Sequence, residues 1–400
     1  MQKNKTPFQS DDIKDGSKHR KHAKLTRPQL GNFGRNEWAI IGTPCGNIQK
    51  IAYQLTAILS KDFKVSYVDA DHKSADAETE EGKKESTALE AGANWVYTDK
   101  ITHHRIDFNA NLDSYTYRSL FNEQDVVLVN GNHFKAQKQI VVIDARKKSS
   151  LERKLDRLTD VDLILLEGEG EMVFPFLQKH LPNIGEIPVL KSRDITAIAD
   201  FLLQKMKTNR PPLYGLVLAG GKSQRMGRDK GLIDYHGKAQ REYTGDMLQS
   251  VCEKVFLSCR PEQAVQIQSE YQILSDVMLG LGPFGAIVSA FQHNPNAAWL
   301  VVACDLPLLD QNTLKYLTEN RNPSKIATAF HNPATNFPEP LITVWEPKSY
   351  LTLLQFLVQG YSCPRKVLIN SDIEVLEVLD TAKLKNVNRP EEYEEVKRLM

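Results

Sequence analysis

The chain has 400 residues, 41% of them apolar and 25% charged, which is the composition of a soluble globular protein and long enough for two domains. A net charge of +1 gives no general electrostatic reason to bind nucleic acid or an anionic membrane. The five cysteines are widely spaced and contain no CxxC pair, which excludes an obvious zinc or thioredoxin-like motif and any disulfide framework.

Residues 1–36 are polar and basic, with a cluster at Lys18, His19, Arg20, Lys21, His22 and Lys24, and are expected to be a solvated tail. The tail ends in RPQLGNFGRNEW, whose aromatics and glycines suit docking on one of the domains. Charges stand where a signal peptide would need its apolar stretch, and no apolar run is long enough to span a bilayer, so a cytoplasmic protein is the expectation.

From Trp38 the pattern changes. WAIIG reads as a strand and turn, Ile48 to Leu59 has helical periodicity, and KVSYVDAD reads as a second strand. This opening is similar to a phosphate-binding beta-alpha-beta unit, but Asn47, Ile48 and Gln49 stand where that pattern requires Gly, Lys and Ser or Thr. Without the lysine and hydroxyl, no nucleotide hydrolysis is expected here. Asp69, Asp71 and His72 follow the second strand, and His103 and His104 lie further on; polar turns of this kind are normally solvated rather than metal-binding.

KKSSLERKLDRL is expected to be a charged helix, and VDLILLEG a strand. Prolines and polar residues in MKTNRPP, residues 206–212, mark a linker. The expected domains are therefore 37–206 and 213–400.

The second region opens with LVLAGGKSQRMGRDK, residues 216–230. An apolar strand runs into Gly220, Gly221 and Gly227, a backbone able to approach a polyanion and aim its N–H groups at phosphate oxygens. Arg225, Arg228 and Lys230 add positive charge to the same loop. Beyond it, Lys238 to Val251 reads as a helix, VFLSC as a strand, Pro261 to Tyr271 as a helix, QILSD as a strand ending at Asp276, and Gly282 to Gln292 as a helix. WLVVACDLPLL then reads as a buried strand delivering Asp305 to a sheet edge. Alternating helices and apolar strands argue for a largely parallel sheet covered on both faces, with ligands beyond the strand carboxyl ends.

The loop resembles the signature LxGGxSxRMGxDK of the MobA-like nucleotidyltransferases, through Leu218, Gly220, Gly221, Ser223, Arg225, Met226, Gly227, Asp229 and Lys230. CDLPLL is similar to that family's CDxP segment, GLGPFGAI to its GPLAGI, EPLITVWEP to its substrate-side strand and NVNRPEEY to its terminal NxNTPED. Two departures stand out: Arg389 replaces the usual threonine, and Cys259 precedes Arg260 where an Asn-Arg pair is common. Residues 38–206 resemble a degenerate MobB, the P-loop protein that accompanies MobA in molybdenum cofactor biosynthesis. DVVLVNGNHFKAQKQIVVID (Asp125 to Asp144) and IPVLKSRDITAIADFLL carry that likeness.

These resemblances imply an α/β protein of two three-layer domains with mostly parallel sheets, the C-terminal one a Rossmann-like nucleotidyltransferase fold. They imply transfer of GMP from GTP to molybdopterin or Mo-molybdopterin, releasing pyrophosphate. Arg225 and Lys230 would lie on the triphosphate, and Asp305 would hold Mg2+. Leu218, Ala219, Gly220, Gly221, Ser223, Gly227 and Asp276 would bind the nucleotide, and Asn386 and Asn388 would face the pterin. LAGG, in place of the LAAG of cytidylyltransferases, implies GTP, Gly221 letting the backbone pass close to guanine. A phosphate monoester acceptor is already ionised near neutral pH, so alignment and charge neutralisation suffice without a protein base. Molybdenum enzymes or cofactor-insertion proteins would be its partners, with neither nucleic acid nor membrane among them. Two other readings stay open at this point: CTP or another phosphorylated acceptor as substrate, or a non-catalytic carrier for the pterin cofactor.

Overall fold

The computed structural model describes residues 31–70, 87–112, 114–170, 172–220 and 229–399. The chain divides into two compact units between Asn209 and Arg210.

The strands of the first unit are β1 (Glu37–Ile41), β2 (Val65–Val68), β3 (Trp95–Asp99), β4 (His104–Phe108), β5 (Val126–Asn130), β6 (Lys138–Ile143), β7 (Val161–Leu166) and β8 (Val189–Lys191). Six of them form a parallel sheet in the order β2-β5-β1-β6-β7-β8, while β3 and β4 pair separately as an antiparallel ribbon. β1, β5, β6 and β7 read as near-continuous apolar runs because successive side chains alternate between two covered faces. In β1, Trp38 and Ile40 enter one cluster with Ile48, Ile51 and Leu55 of the helix Cys45–Leu59, and with Ile198 and Leu202 of the helix Ile195–Thr208. Ala39 and Ile41 enter clusters on the opposite face. Both faces are therefore covered.

The expected helix over KKSSLERKLDRL is shorter than its charge pattern suggests. An α-helix covers only Lys148–Glu152, followed by a 3-10 turn over Leu155–Arg157. Leu151, Leu155 and Leu158 all reach the core, but the chain leaves helical geometry at Lys154, where Lys154 and Arg157 donate to the Asn132 and Gly131 carbonyls, so tertiary contacts override the helical pattern.

The second unit contains β9 (Leu213–Leu218), β10 (Lys254–Cys259), β11 (Gln272–Ser275), β12 (Ala298–Ala303), β13 (Ala327–Asn332), β14 (Phe337–Trp345) and β15 (Glu374–Glu377). Their order is β11-β10-β9-β12-β14-β13-β15, and only β14 runs against its neighbours. In β9, Leu213 and Val217 pack into one core cluster, while Tyr214 and Leu216 pack into another on the opposite face. In β12, Leu300 and Val302 alternate with Trp299 and Val301 in the same way. The two clusters hold the helices of either face against one sheet, giving the expected α/β layering.

The chain leaves β9 for β10 and β11 on one side, then returns to place β12 on the other. The sheet therefore has its topological switch point between β9 and β12, where their carboxyl ends form a crevice suited to a ligand.

One expected helix fails. The segment from Pro261 to Tyr271 is helical only over Pro261–Ala264. Tyr271 is held instead by tertiary contacts: its hydroxyl donates to Asp246 at 2.5 Å, and its ring lies where a Cβ on Gly245 would have to sit. Continuing the helix would withdraw Tyr271 from that contact, so packing overrides local propensity.

Candidate active site

At the carboxyl end of β9, Leu218 lies between Ser258 of β10 and Ala303 of β12. The next two amides, Ala219 and Gly220, both donate to the Ser258 carbonyl at 2.9 Å, so the chain turns tightly over β10. A Cβ on Gly220 would stand 2.9 Å from the Cys259 Cα, which makes glycine a steric requirement of this approach. Gly221, Ser223, Arg225 and Gly227 lie outside the described residues.

Where description resumes, Asp229 accepts from the Gly231 amide at 2.9 Å and caps a 3-10 turn, Lys230–Leu232. That turn directs Lys230 across the switch point. Its ammonium stands 3.3 Å from Asp305 Oδ2 and donates to Asn388 Oδ1 at 2.6 Å.

Asp305 follows β12 directly, after Cys304. Its backbone carbonyl accepts from the Val387 amide at 2.8 Å, which fixes the C-terminal segment beside the sheet edge. Val387 is buried with Ile233 and Val396, an apolar pin between the two asparagines that flank it. Asn388 is further held by its amide donating to Glu392 Oε2 at 2.6 Å. The structure thus brings Lys230, Asp305 and Asn388 into one constellation, with Asn386 two residues from Asn388.

Two buried oxygens there have no hydrogen-bond partner among the described residues, Asp305 Oδ1 and Asn386 Oδ1. Leaving such acceptors unpaired is costly, and both here stand beside the Lys230 cluster, where a bound ligand could supply the missing partners. Burial pushes the Asp305 carboxyl above its usual range, while the Lys230 ammonium pulls it back. The donor set fits magnesium, which usually keeps waters and is held by one or two carboxylates together with substrate phosphates. Among the described residues no group of three or more His, Cys, Asp or Glu side chains is placed to hold a metal, so substrate oxygens would have to complete the shell.

Asp276 lies at the end of β11, away from the Lys230 cluster. Its amide donates to the Cys259 carbonyl at 2.9 Å, and its carboxylate accepts from Ser258 Oγ at 2.7 Å. Burial raises its pKa against the opposing effects of Ser258 and Arg260. Asp276 and Gly220 are therefore linked through the same Ser258–Cys259 backbone. In the first unit, Asp69 accepts from Tyr67 and Asn130, and His104 contacts the Tyr97 hydroxyl at 2.9 Å; Asp71 and His72 lie outside the described residues.

Residues that the motif comparison did not single out also build the site. Ser258 orients Asp276, and Glu392 holds the Asn388 backbone. His236, stacked on Tyr243, lies 3.0 Å from the Pro307 carbonyl and so supports the Asp305 loop. Glu392 had a local signal, an acidic residue in the first turn of the helix Pro390–Leu399, within the NVNRPEEY segment. The Ser258 and His236 contacts span 18 and 71 residues and had none.

Residues 215–373 match the MobA-like NTP transferase domain. A molybdenum cofactor biosynthesis bifunctional protein of Synechocystis is 35% identical over 193 residues, 48% of this chain and 56% of that protein. The chain thus spans little more than half the length of that relative. A molybdenum cofactor guanylyltransferase of Pseudomonas putida is 27% identical over 202 residues, covering 48% of this chain and 100% of the relative. Among solved structures, molybdopterin-guanine dinucleotide biosynthesis protein A from Archaeoglobus fulgidus is similar to 46% of this chain and 97% of its own, with 21% identity and a TM-score of 0.40. No helix among the described residues is long and apolar enough to cross a membrane.

Proposed function

Because the C-terminal half carries a MobA-like NTP transferase domain, we propose that it transfers GMP from GTP to molybdopterin or Mo-molybdopterin, forming the guanine dinucleotide cofactor and pyrophosphate. The observation that carries this reading is the Lys230–Asp305–Asn388 constellation at the switch point, with one Asp305 oxygen buried and unpaired. Relatives described as molybdenum cofactor guanylyltransferases support the choice of guanine and pterin.

The reaction joins an acceptor phosphate oxygen to the α-phosphorus of GTP as the bond to the pyrophosphate oxygen breaks. Lys230, set by Asp229 and Asn388, neutralises charge on the phosphates as it shifts toward the leaving group. Gly220 lets the backbone approach the nucleotide, and the Ser258–Asp276 pair fixes the adjacent edge of its site. Asn386 presents an acceptor to a donor on the pterin ring. Asp305 would hold Mg2+, which supplies Lewis-acid charge stabilisation at the phosphates when bound. Arg225, Ser223, Gly221 and Gly227 complete the proposed phosphate and base contacts.

The test is pyrophosphate release by the full-length protein with molybdopterin and magnesium, comparing GTP, CTP, ATP and UTP. Release with GTP alone, lost in Asp305→Ala, is the expected result. Preference for CTP would reassign the nucleotide, and no release with any nucleotide would remove the catalytic reading.

A further inference from the structure

The first sheet has a switch point of its own. From β1 the chain reaches β5 and β2 on one side and β6, β7 and β8 on the other, so a crevice opens beyond the carboxyl ends of β1 and β5. The residues there are not those of a phosphate loop. Cys45 opens the helix Cys45–Leu59, directly after the β1 turn, and the turn after β5 carries Asn132 and His133.

We propose that Cys45 and His133 form a nucleophile and base pair, a thiol site at this crevice that reacts with disulfides. The Cys45 sulfur lies 3.4 Å from His133 Nε2, within hydrogen-bond reach for sulfur. Pairing a nucleophile with a base at this distance is the arrangement that activates thiols in other folds. The sulfur also accepts from Asn132 Nδ2 at 3.4 Å. The amide is oriented to do so, because the same nitrogen donates to the Thr43 carbonyl at 3.0 Å and Lys154 holds its Oδ1 at 3.2 Å. His133 is positioned by its own amide donating to the Asn130 carbonyl at 3.1 Å, and buried Asn130 is tied to Asp69 at 2.7 Å. Cys45 also stands in the first turn of a 15-residue helix, with that helix's N-terminus behind it. Cys45 is partly exposed, so a reagent can reach it.

The co-reactant proposed is a small disulfide, whose mixed disulfide on Cys45 would persist. Cys45 is the sole cysteine before Cys252, so no resolving thiol is available within its own unit. In the step, His133 takes the thiol proton and a sulfur lone pair of Cys45 attacks one sulfur of RS–SR. The S–S bond breaks, a mixed disulfide forms on Cys45, and the departing RS⁻ takes the proton from His133. Atoms and electrons balance with the disulfide as the only co-reactant. The inference is independent of the C-terminal activity.

The experiment exposes the full-length protein to glutathione disulfide and follows each cysteine by mass spectrometry after acid trapping. Burial pushes the Cys252 thiol to about 12 and Cys259 to about 11 and raises Cys304 as well, leaving exposed Cys363 as the internal standard. Cys45 should acquire the glutathionyl group about tenfold faster than Cys363, and His133→Ala should remove that advantage without changing Cys363. Equal rates at Cys45 and Cys363 in the native protein, or an unaltered Cys45 rate in His133→Ala, would overturn the proposal. If His133→Ala disturbs the fold, seen as a shifted thermal midpoint, the pH profile of the native protein decides. A Cys45 rate that follows the same pH course as Cys363 overturns the pairing, because a thiol paired with an imidazole base must titrate differently from a free one.

Discussion

Lys230 and Asp305, 75 residues apart in the chain, face each other at 3.3 Å across the switch point of the second sheet. Lys230 also bonds Asn388, so one ammonium gathers the glycine loop, the β12 carboxylate and the C-terminal segment. Removing its charge in Lys230→Met should lower pyrophosphate release by about a hundredfold or more, the scale of losing one preorganised charge-stabilising donor. Asp305→Asn should cost a similar factor, and chelation of magnesium should silence the native protein. Circular dichroism should stay near native in both variants, so that lost activity is not lost fold. Activity persisting in either one would remove its residue from the mechanism.

Gly220 gives a steric prediction. In Gly220→Ala the new methyl would meet the Cys259 backbone at 2.9 Å, where no flexible side chain can yield. Relief requires the β9 turn to move away from β10, breaking the bond from the Gly220 amide to the Ser258 carbonyl. We expect about 1–3 kcal/mol of destabilisation, the usual cost of overpacking, together with loss of nucleotide binding. Thermal unfolding and nucleotide titration on one sample would check both. A variant with native stability and native affinity would contradict the steric account.

Much of this was legible in the residues. WAIIG, VVLVN, VDLILL, LYGLVL and AWLVVA are apolar at nearly every position, as strands covered on both faces must be, and all became interior strands with at least one parallel neighbour. Asp305 was legible because it follows such a run directly. The insertion of antiparallel β14 between β12 and β13 was not, because strand order depends on long-range pairing rather than local pattern. The Pro261–Tyr271 segment misled for a related reason, its outcome depending on Tyr271 meeting Gly245 and Asp246. Lys230 was visible as a phosphate-loop lysine, but its bond to Asn388, 158 residues away, was not.

A buried ion pair anchors the second unit. Arg321 donates to Glu346 through Nε at 2.6 Å and Nη2 at 3.1 Å, and Nη2 also reaches the Pro211 carbonyl at 2.9 Å. Glu346 is wholly buried. Arg321→Met should destabilise by about 3–5 kcal/mol, because it leaves an uncompensated buried carboxylate. Replacing both partners, in Arg321→Met with Glu346→Leu, should recover much of that loss. Urea unfolding of the single and double variants would measure the coupling, and simple additivity would show that the pair is not energetically linked.

Asp162 provides a pH-dependent test in the first unit. Burial opposes its ionisation, but hydrogen bonds from Lys205 at 2.8 Å, Trp38 Nε1 at 2.9 Å and Lys138 at 3.0 Å outweigh it and hold the carboxyl below its ordinary range. A depressed folded-state pKa means that the carboxylate stabilises the fold above the unfolded value, about 3.9, and that this contribution is lost as pH falls through the folded value. Asp162→Asn should therefore cost about 2–3 kcal/mol at pH 7, the scale of hydrogen bonds to a charged group. The gap between native and variant stability should narrow in acid, as the native carboxyl takes up its proton. Urea unfolding of the native and Asp162→Asn proteins at each pH, followed by circular dichroism, would measure that gap. A stability difference that stayed constant from pH 7 into acid would mean that packing, rather than the charge on Asp162, carries the contribution.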